Sequence, residues 1–242
     1  MKKPLLFVSA FAGILFASCG SDDSSSAVTS VEKYISSVQT MNTDDDVNML
    51  NVTYNAAGQV TSVSDGENTN DLSYSGGNLT TISGDSDPFQ ISELYQNPYD
   101  GYEFGEVLDY DNNGNPIKLR LFERDEETNE IIEEFEGFIT YDNKPNPFWY
   151  TLQAAGIIDV LENVELNFSS VPQAEELIMA KQLLFKNNPK SFVLKHLNGT
   201  VASQVNATFV YGTDGYATSG TFTSSNEDGE TSSGSINFNY LP

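Results

Sequence analysis

The chain has 242 residues, with 11 Lys plus Arg against 35 Asp plus Glu, one His, one Cys and one Trp, and a formal charge of −24. That length suits one domain or two small ones, and 38% hydrophobic with 12% aromatic residues supplies a core, which excludes whole-chain disorder. The charge disfavours nucleic acid and other polyanions as partners; the single Cys excludes an intramolecular disulfide and the single His a multi-histidine metal centre.

Residues 1–18 have the form of a secretory signal peptide: Lys2 and Lys3, an apolar run from Pro4 to Ala17, then the small residues Ala17 and Ser18. The run is shorter than the roughly 20 residues a bilayer-spanning helix needs. The only Cys follows at once, and Phe16-Ala17-Ser18-Cys19 resembles a bacterial lipoprotein lipobox, with Phe16 where Leu is usual. The other reading is an ordinary signal peptide followed by a buried Cys. The resemblance implies cleavage before Cys19, a covalent lipid there and no other cofactor, so that Cys19 is a membrane handle and not a nucleophile. Cleavage leaves nine cationic and 35 acidic side chains, a charge of −26. Residues 19–30 are polar and acidic and read as a flexible tether. Ser21, Asp22 and Asp23 resemble the signal that exports Bacteroidota lipoproteins to the outer face of the outer membrane; an uninformative linker and a periplasm-facing anchor are the alternatives.

Residues 31–242 read as a single β-rich domain. Tyr54-Asn-Ala-Ala-Gly58-Gln-Val60-Thr-Ser-Val63 is matched by Tyr110-Asp-Asn-Asn-Gly114-Asn-Pro116-Ile-Lys-Leu119, with Gly four residues after Tyr and an apolar residue nine after. Tyr74 to Ile82 is the same phrase one residue shorter, and Tyr211 to Gly215 keeps its first half, with Gly220 in place of the later apolar residue. Asn or Asp at the first turn position and a left-handed Gly at the fourth close a three-residue hairpin loop, so each copy predicts one β-hairpin. Alternation at Leu50, Val52 and Tyr54 and at Ile117, Leu119 and Leu121 supports the flanking strands. A further hairpin is expected to join 117–123 to 131–141 across the acidic loop 124–130, and three more strands are expected at 204–211, 217–225 and 232–240.

Between 150 and 186 one or two helices are expected. Thr151 to Leu161 has few breakers apart from Gly156, and Pro172 to Phe185 carries Ala174, Leu177, Ile178, Ala180, Leu183 and Leu184 at a helical spacing. Asn-Pro pairs begin at Asn97, Asn115, Asn146 and Asn188, positions that suit strand ends because Pro cannot donate to a ladder. The fold class is therefore mainly β, an antiparallel sheet of successive hairpins, either as a two-sheet sandwich or as one elongated sheet with helical cover.

Tyr110-Asp111-Asn-Asn-Gly114-Asn, Tyr141-Asp142-Asn143-Lys144-Pro145-Asn146-Pro147-Phe148 and Asn187-Asn188-Pro189 resemble phrases of Bacteroidota outer-membrane lipoproteins of the DUF4595-like, YD-repeat-related group. The resemblance covers most of residues 45–242. It implies a hairpin-built sheet on a lipid-anchored envelope protein and supplies no catalytic residues.

Chemistry is sparse. Asp109-x-Asp111-x-Asn113-Gly114 begins like an EF-hand loop, but the twelfth position, which must be a carboxylate, is Arg120, and a hairpin turn explains the residues. His196 lies in an expected strand with no Gly-x-Ser-x-Gly elbow to serve. Residues 100–136 hold 13 acids against Lys118, Arg120 and Arg124, and nothing selects the carboxylate pair a glycosidase needs. Solvation explains the acids, with weak divalent-cation binding as the exception. The candidate ligand-binding aromatics are Tyr95, Tyr99 and Tyr102, beside Phe104, and Trp149 and Tyr150; flat rings flanked by amides suit sugars, and core filling is the competing account. No catalytic or metal-binding residue is expected. The leading expectation is a non-enzymatic surface interaction or scaffold module, partnered by the membrane through its lipid and by a glycan or another envelope protein. Glycan-binding accessory lipoprotein and, third, glycoside hydrolase are the alternatives.

Overall fold

The computed structural model describes residues 32–242 except 44–45, 85–86, 96–98, 101–105, 126–127, 129 and 168–176. The strands are β1 (Ile35–Asn42), β2 (Val47–Tyr54), β3 (Val60–Ser64), β4 (Thr69–Ser75), β5 (Asn78–Ser83), β6 (Phe89–Gln90), β7 (Tyr99–Asp100) and β8 (Glu106–Tyr110). Then follow β9 (Pro116–Arg124), β10 (Ile131–Pro145), β11 (Glu165–Asn167), β12 (Leu177–Met179), β13 (Asn187–His196), β14 (Val201–Tyr211), β15 (Ala217–Asn226) and β16 (Thr231–Tyr240). Thirteen of them form one antiparallel sheet in the order β6-β5-β4-β3-β2-β1-β16-β15-β14-β13-β10-β9-β8. The others make a small sheet, β12-β11-β7, in which β11 runs antiparallel to β12 and parallel to β7. The mainly β class and its hairpins are as the sequence predicts, and the single-sheet alternative is the one adopted.

The hairpin turns follow the predicted chemistry. Gly58 N donates to Asn55 O and Gly114 N to Asp111 O, each near 3.0 Å, with both glycines at φ close to +80°. The shortened phrase closes differently: Gly76 and Gly77 both have positive φ between the paired Ser75 and Asn78, as a type I′ two-residue turn requires. The same three-residue loop also closes 196–200 and 226–230, where no Tyr opens the phrase.

Every even-numbered strand of the main sheet ends at the same edge of the trough, and their tyrosines fasten that edge. Tyr54, Tyr74, Tyr141 and Tyr240 each donate their hydroxyl to the first residue of the antiparallel neighbour: Ile35 O (2.7 Å), Val60 O (2.6 Å), Pro116 O (2.7 Å) and Ala217 O (2.6 Å). All four acceptor residues are buried. Tyr211 does the equivalent with side chains, bonding the Asp142 carboxylate while Asn188 Nδ2 donates to its oxygen at 3.1 Å.

Residues 146–186 form an insertion between β10 and β13 carrying two short helices, α1 (Trp149–Ala154) and α2 (Ile157–Leu161). Gly156, at φ +70°, separates them, so the predicted helix from 151 to 161 is broken in the middle. The second expected helix differs too. Of its span, 172–176 lie outside the described residues, 177–179 are strand β12 and 180–183 a 3-10 turn. Leu177, Ile178, Ala180 and Leu183 satisfy a helical spacing, but short apolar runs fit either state and pairing with β11 decides it.

The base of the insertion is pinned where Asn146 N donates to Lys186 O (2.8 Å) and Asn146 Nδ2 to Phe185 O (3.1 Å). Along its course Ile35 N donates to Thr151 Oγ1 (2.8 Å), Tyr74 Oη to Ala155 O (3.3 Å), and Gly156 lies against Leu79. Between β13 and β5 there are eight strand spacings, roughly 40 Å if the sheet were flat. The ten residues from Asn146 to Gly156 are mostly helical and advance only about 15 Å. The sheet must therefore curl around the insertion into a trough. Glycines permit the bend: the ring of Phe192 occupies the place of a Cβ on Gly137, Phe209 that on Gly220 and Phe222 that on Gly234.

Buried clusters line the trough beneath the insertion, one around Phe135, Ile139, Phe185 and Phe192, another around Ile35, Val38, Ile236 and Phe238, and a third joining Leu79 and Ile91 to Val160 and Val164. Burial pushes the clasping phenols up, Tyr74 to about 12 and Tyr141 and Tyr240 higher. A raised folded value makes the neutral clasps fully stabilising below the unfolded pKa of about 10 and progressively lost as pH rises through the folded values. Thermal melts should therefore fall steeply from about pH 10 to about pH 12, and Tyr240→Phe should cost about 1 kcal/mol at neutral pH; a melt independent of alkaline pH would contradict the clasps.

Candidate functional site

Register fixes which side chains face into the trough. One inward row runs Phe209, Gly220, Ile236, Thr40, Asn48 across β14, β15, β16, β1 and β2; the next runs Ala207, Phe222, Gly234, Asn42; the next Val205, Ser224, Ser232. With Pro147 and Phe148 of the insertion, these rows enclose a cavity of about 600 Å³. Its apolar end is made by Phe148, Phe209, Ile236 and Phe238, the rings of Phe148 and Phe238 meeting edge to face at 5.7 Å. Toward the β15–β16 turn the lining becomes polar, through Asn42, Ser224, Asn226, Ser232 and Glu230, with Asn226 Nδ2 donating to Glu230 Oε2 at 2.9 Å.

Charge is segregated around this groove. Strands β1, β2, β14, β15 and β16 contain no charged residue, on a chain with 35 acids. Among the described lining residues Glu230 carries the sole charge. The lining thus has the composition of a binding cleft, apolar with a few polar groups at one end, and its volume falls in the usual range of about 300–1,000 Å³. Among its described residues that lining contains no His, Cys, Lys or Arg. A smaller cavity, about 330 Å³, adjoins the groove at its β15–β16 end, sharing Ser224, Ser225, Thr231 and Ser232 with it and lined also by Thr43, Asn206, Thr223 and Ser233.

The residues singled out from the sequence fall elsewhere. Cys19, Ser21, Asp22, Asp23 and Tyr102 lie outside the described residues. Tyr95 and Tyr99 are 44% and 41% exposed. Trp149 is half-buried against Ile158 and Leu184. Tyr150 sits among structural rings, 6.5 Å from both Tyr34 and Tyr216. The groove is not legible locally because its rows join strands up to 196 positions apart, Thr40 facing Ile236; the local signal is a pair of charge-free strands rich in Ser, Thr and Asn around single Phe residues, 201–211 and 217–226.

Asp111 is used within its turn: its carboxylate accepts from Asn113 N (2.8 Å), Asn115 N (2.9 Å) and Asn115 Nδ2 (2.8 Å). The acids of β8–β10 are partly paired, Glu106 with Arg120 at 2.8 Å and Glu136 with Lys118 at 2.5 Å. Among the described residues no three His, Cys, Asp or Glu side chains converge to hold a metal ion. His196 stands at the far edge of the trough, with Nδ1 2.6 Å from Glu133 and Nε2 3.0 Å from Glu227.

No protein-family model matches the chain, and neither does any curated protein. Among solved structures it is similar to a porin-like protein from Bacteroides uniformis (12% identity, 86% of this chain and 96% of that one, TM-score 0.39). A porin-like protein from Bacteroides vulgatus (14%, 86% and 99%, 0.32) and a LolA superfamily protein from Nitrosomonas europaea (12%, 87% and 88%, 0.23) are similar as well. Superpositions this loose assign no fold family and carry over no activity.

Hydrogen bonding to Glu133 raises the His196 pKa, burial opposes, and Glu227 adds to the rise. A raised histidine stabilises fully below its unfolded value of about 6.5 and loses that contribution as pH rises through the folded value. His196→Gln should therefore lower the melting temperature more at about pH 6 than at about pH 8; an equal loss at both would remove the charge from the interaction.

Proposed function

We propose that this chain is a non-enzymatic lipoprotein of the bacterial cell envelope, anchored through lipid on Cys19 and displayed at the outer membrane, whose trough binds an apolar ligand. The single observation that carries the binding is the open groove of about 600 Å³ on the inner face of β14–β16 and β1, walled by phenylalanines and free of cationic groups. The resemblance of Phe16-Ala17-Ser18-Cys19 to a lipobox, of Ser21, Asp22 and Asp23 to an export signal and of the hairpin phrases to those of YD-repeat-related lipoproteins supports the envelope setting. Burial of an alkyl chain there contributes about 0.8 kcal/mol per methylene, enough to hold a ligand without chemistry.

A second reading, glycan binding, keeps Tyr95 and Tyr99 as its exposed rings and gains the hydroxyl-lined cavity around Thr223 and Ser233. Retardation in glycan affinity gels that is lost in Tyr99→Ala would favour it.

For the groove, a neutral apolar dye should fluoresce on binding the protein, and Ala207→Trp, which fills the middle row, should reduce that binding at least ten-fold with the circular dichroism spectrum unchanged. Undiminished binding would place the dye elsewhere and remove the groove. For the anchor, labelled fatty acid should be incorporated in cells by the natural chain and not by Cys19→Ser, and protease added to intact cells should cleave the lipidated protein if it faces outward.

A further inference from the structure

The groove is graded along its length, and the gradient specifies the ligand more narrowly than apolarity does. At the tyrosine edge the rows carry Phe238 with Val38, then Phe209 and Ile236 with Thr40 and Asn48; toward the β15–β16 turn the rings give way to Ser224, Ser232, Asn226 and Asn42. A groove of about 600 Å³ lies within the usual range for one small ligand and accommodates an acyl chain. The polar end offers amide and hydroxyl groups that donate and accept, with one carboxylate, Glu230, and no Lys or Arg among the described lining residues. An anionic head placed there meets the like charge of Glu230, with no Lys or Arg among the described lining residues to offset it. An uncharged head bearing hydroxyls finds partners on both sides.

Resting on the apolar-groove reading above, we infer that the groove takes a diffusible single-chain lipid with an uncharged, hydroxyl-bearing head, of which a monoacylglycerol is the simplest example. The tail lies toward Phe148 and Phe238 and the head beside Asn42, Asn226 and Glu230. Discrimination against fatty acids of the same length comes from the Glu230 carboxylate, which is exposed at the hairpin turn and accepts from Asn226 Nδ2.

The test uses the lipidated full chain in membranes, with three photoreactive probes of equal chain length: a monoacylglycerol, the corresponding fatty acid and a headless hydrocarbon. Peptide mapping should find the monoacylglycerol on the stretches containing Phe209, Phe222 and Ile236, at least ten-fold above the fatty acid. Glu230→Lys should narrow or reverse that ratio, and Glu230→Gln should raise fatty-acid labelling while keeping the Asn226 hydrogen bond. Equal labelling by both head groups, or a ratio untouched by Glu230→Lys, overturns the head-group inference. Labelling by the hydrocarbon and by neither amphiphile also overturns it and leaves the apolar groove standing. No labelling of these stretches by any probe removes both. If Cys19→Ser gains groove labelling that the lipidated chain lacks, the groove houses the protein's own anchor and the inference falls.

Discussion

The insertion between β10 and β13 is tied at its base by Asn146 and Asn115 and at its far reach by Tyr74 and Leu79, and the short chain between those ties holds the sheet in its curl. Asn115 is the tightest of these points. It is 0% exposed; its Oδ1 accepts from Lys186 N at 2.6 Å and its Nδ2 donates to Asp111 and to Asn187 at 2.8 and 2.9 Å. One amide thereby joins the β8–β9 turn to the start of β13 across the end of β10. Without that amide two part-buried backbone donors, Lys186 N and Asn187 N, would each lose this acceptor. Curvature follows from the ties, and the groove follows from the curvature, because a flat sheet would present the same phenylalanines on an open plane.

Asn-Pro pairs explain themselves in this light. Read as strand-end markers, Asn115, Asn146 and Asn188 do fall at the start of β9, the end of β10 and the start of β13. What the marker did not reveal is that all three side chains are buried and make the polar seam between the sheet and the insertion. Local chemistry was legible where the interaction itself is local: a left-handed Gly four residues after Asn or Asp defines a turn wherever it stands. The turns at Gly199 and Gly229 have the same geometry with no Tyr before them, so the Gly and not the Tyr defines the loop. The role of Tyr was hidden, since its hydroxyl reaches a carbonyl on another strand. The break at Gly156 and the strand at 177–179 depend on packing against Leu79 and β11, partners that no window of sequence contains.

Segregation of charge connects the fold to its setting. Acids crowd β8–β10 and the turns, while the strands that wall the groove are neutral. The acidic side keeps the chain soluble and repels it from anionic head groups, and the neutral side can approach uncharged amphiphiles without an electrostatic penalty.

Gly220 and Gly234 do not line the groove, yet each lies under a ring that does. Phe209 and Phe222 rest on the bare backbone of the neighbouring strand, at 2.8 Å and 2.4 Å from where a Cβ would stand. At Gly220 the nearest atoms a Cβ would meet belong to the Phe209 and Ile236 side chains, so a substitution there pushes the ring toward the cleft, whereas at Gly234 the Met41 carbonyl oxygen, 2.7 Å away, closes the position to any side chain. The calibre of the groove is thus governed from positions that no ligand touches, so that its capacity can be retuned without altering one contact residue.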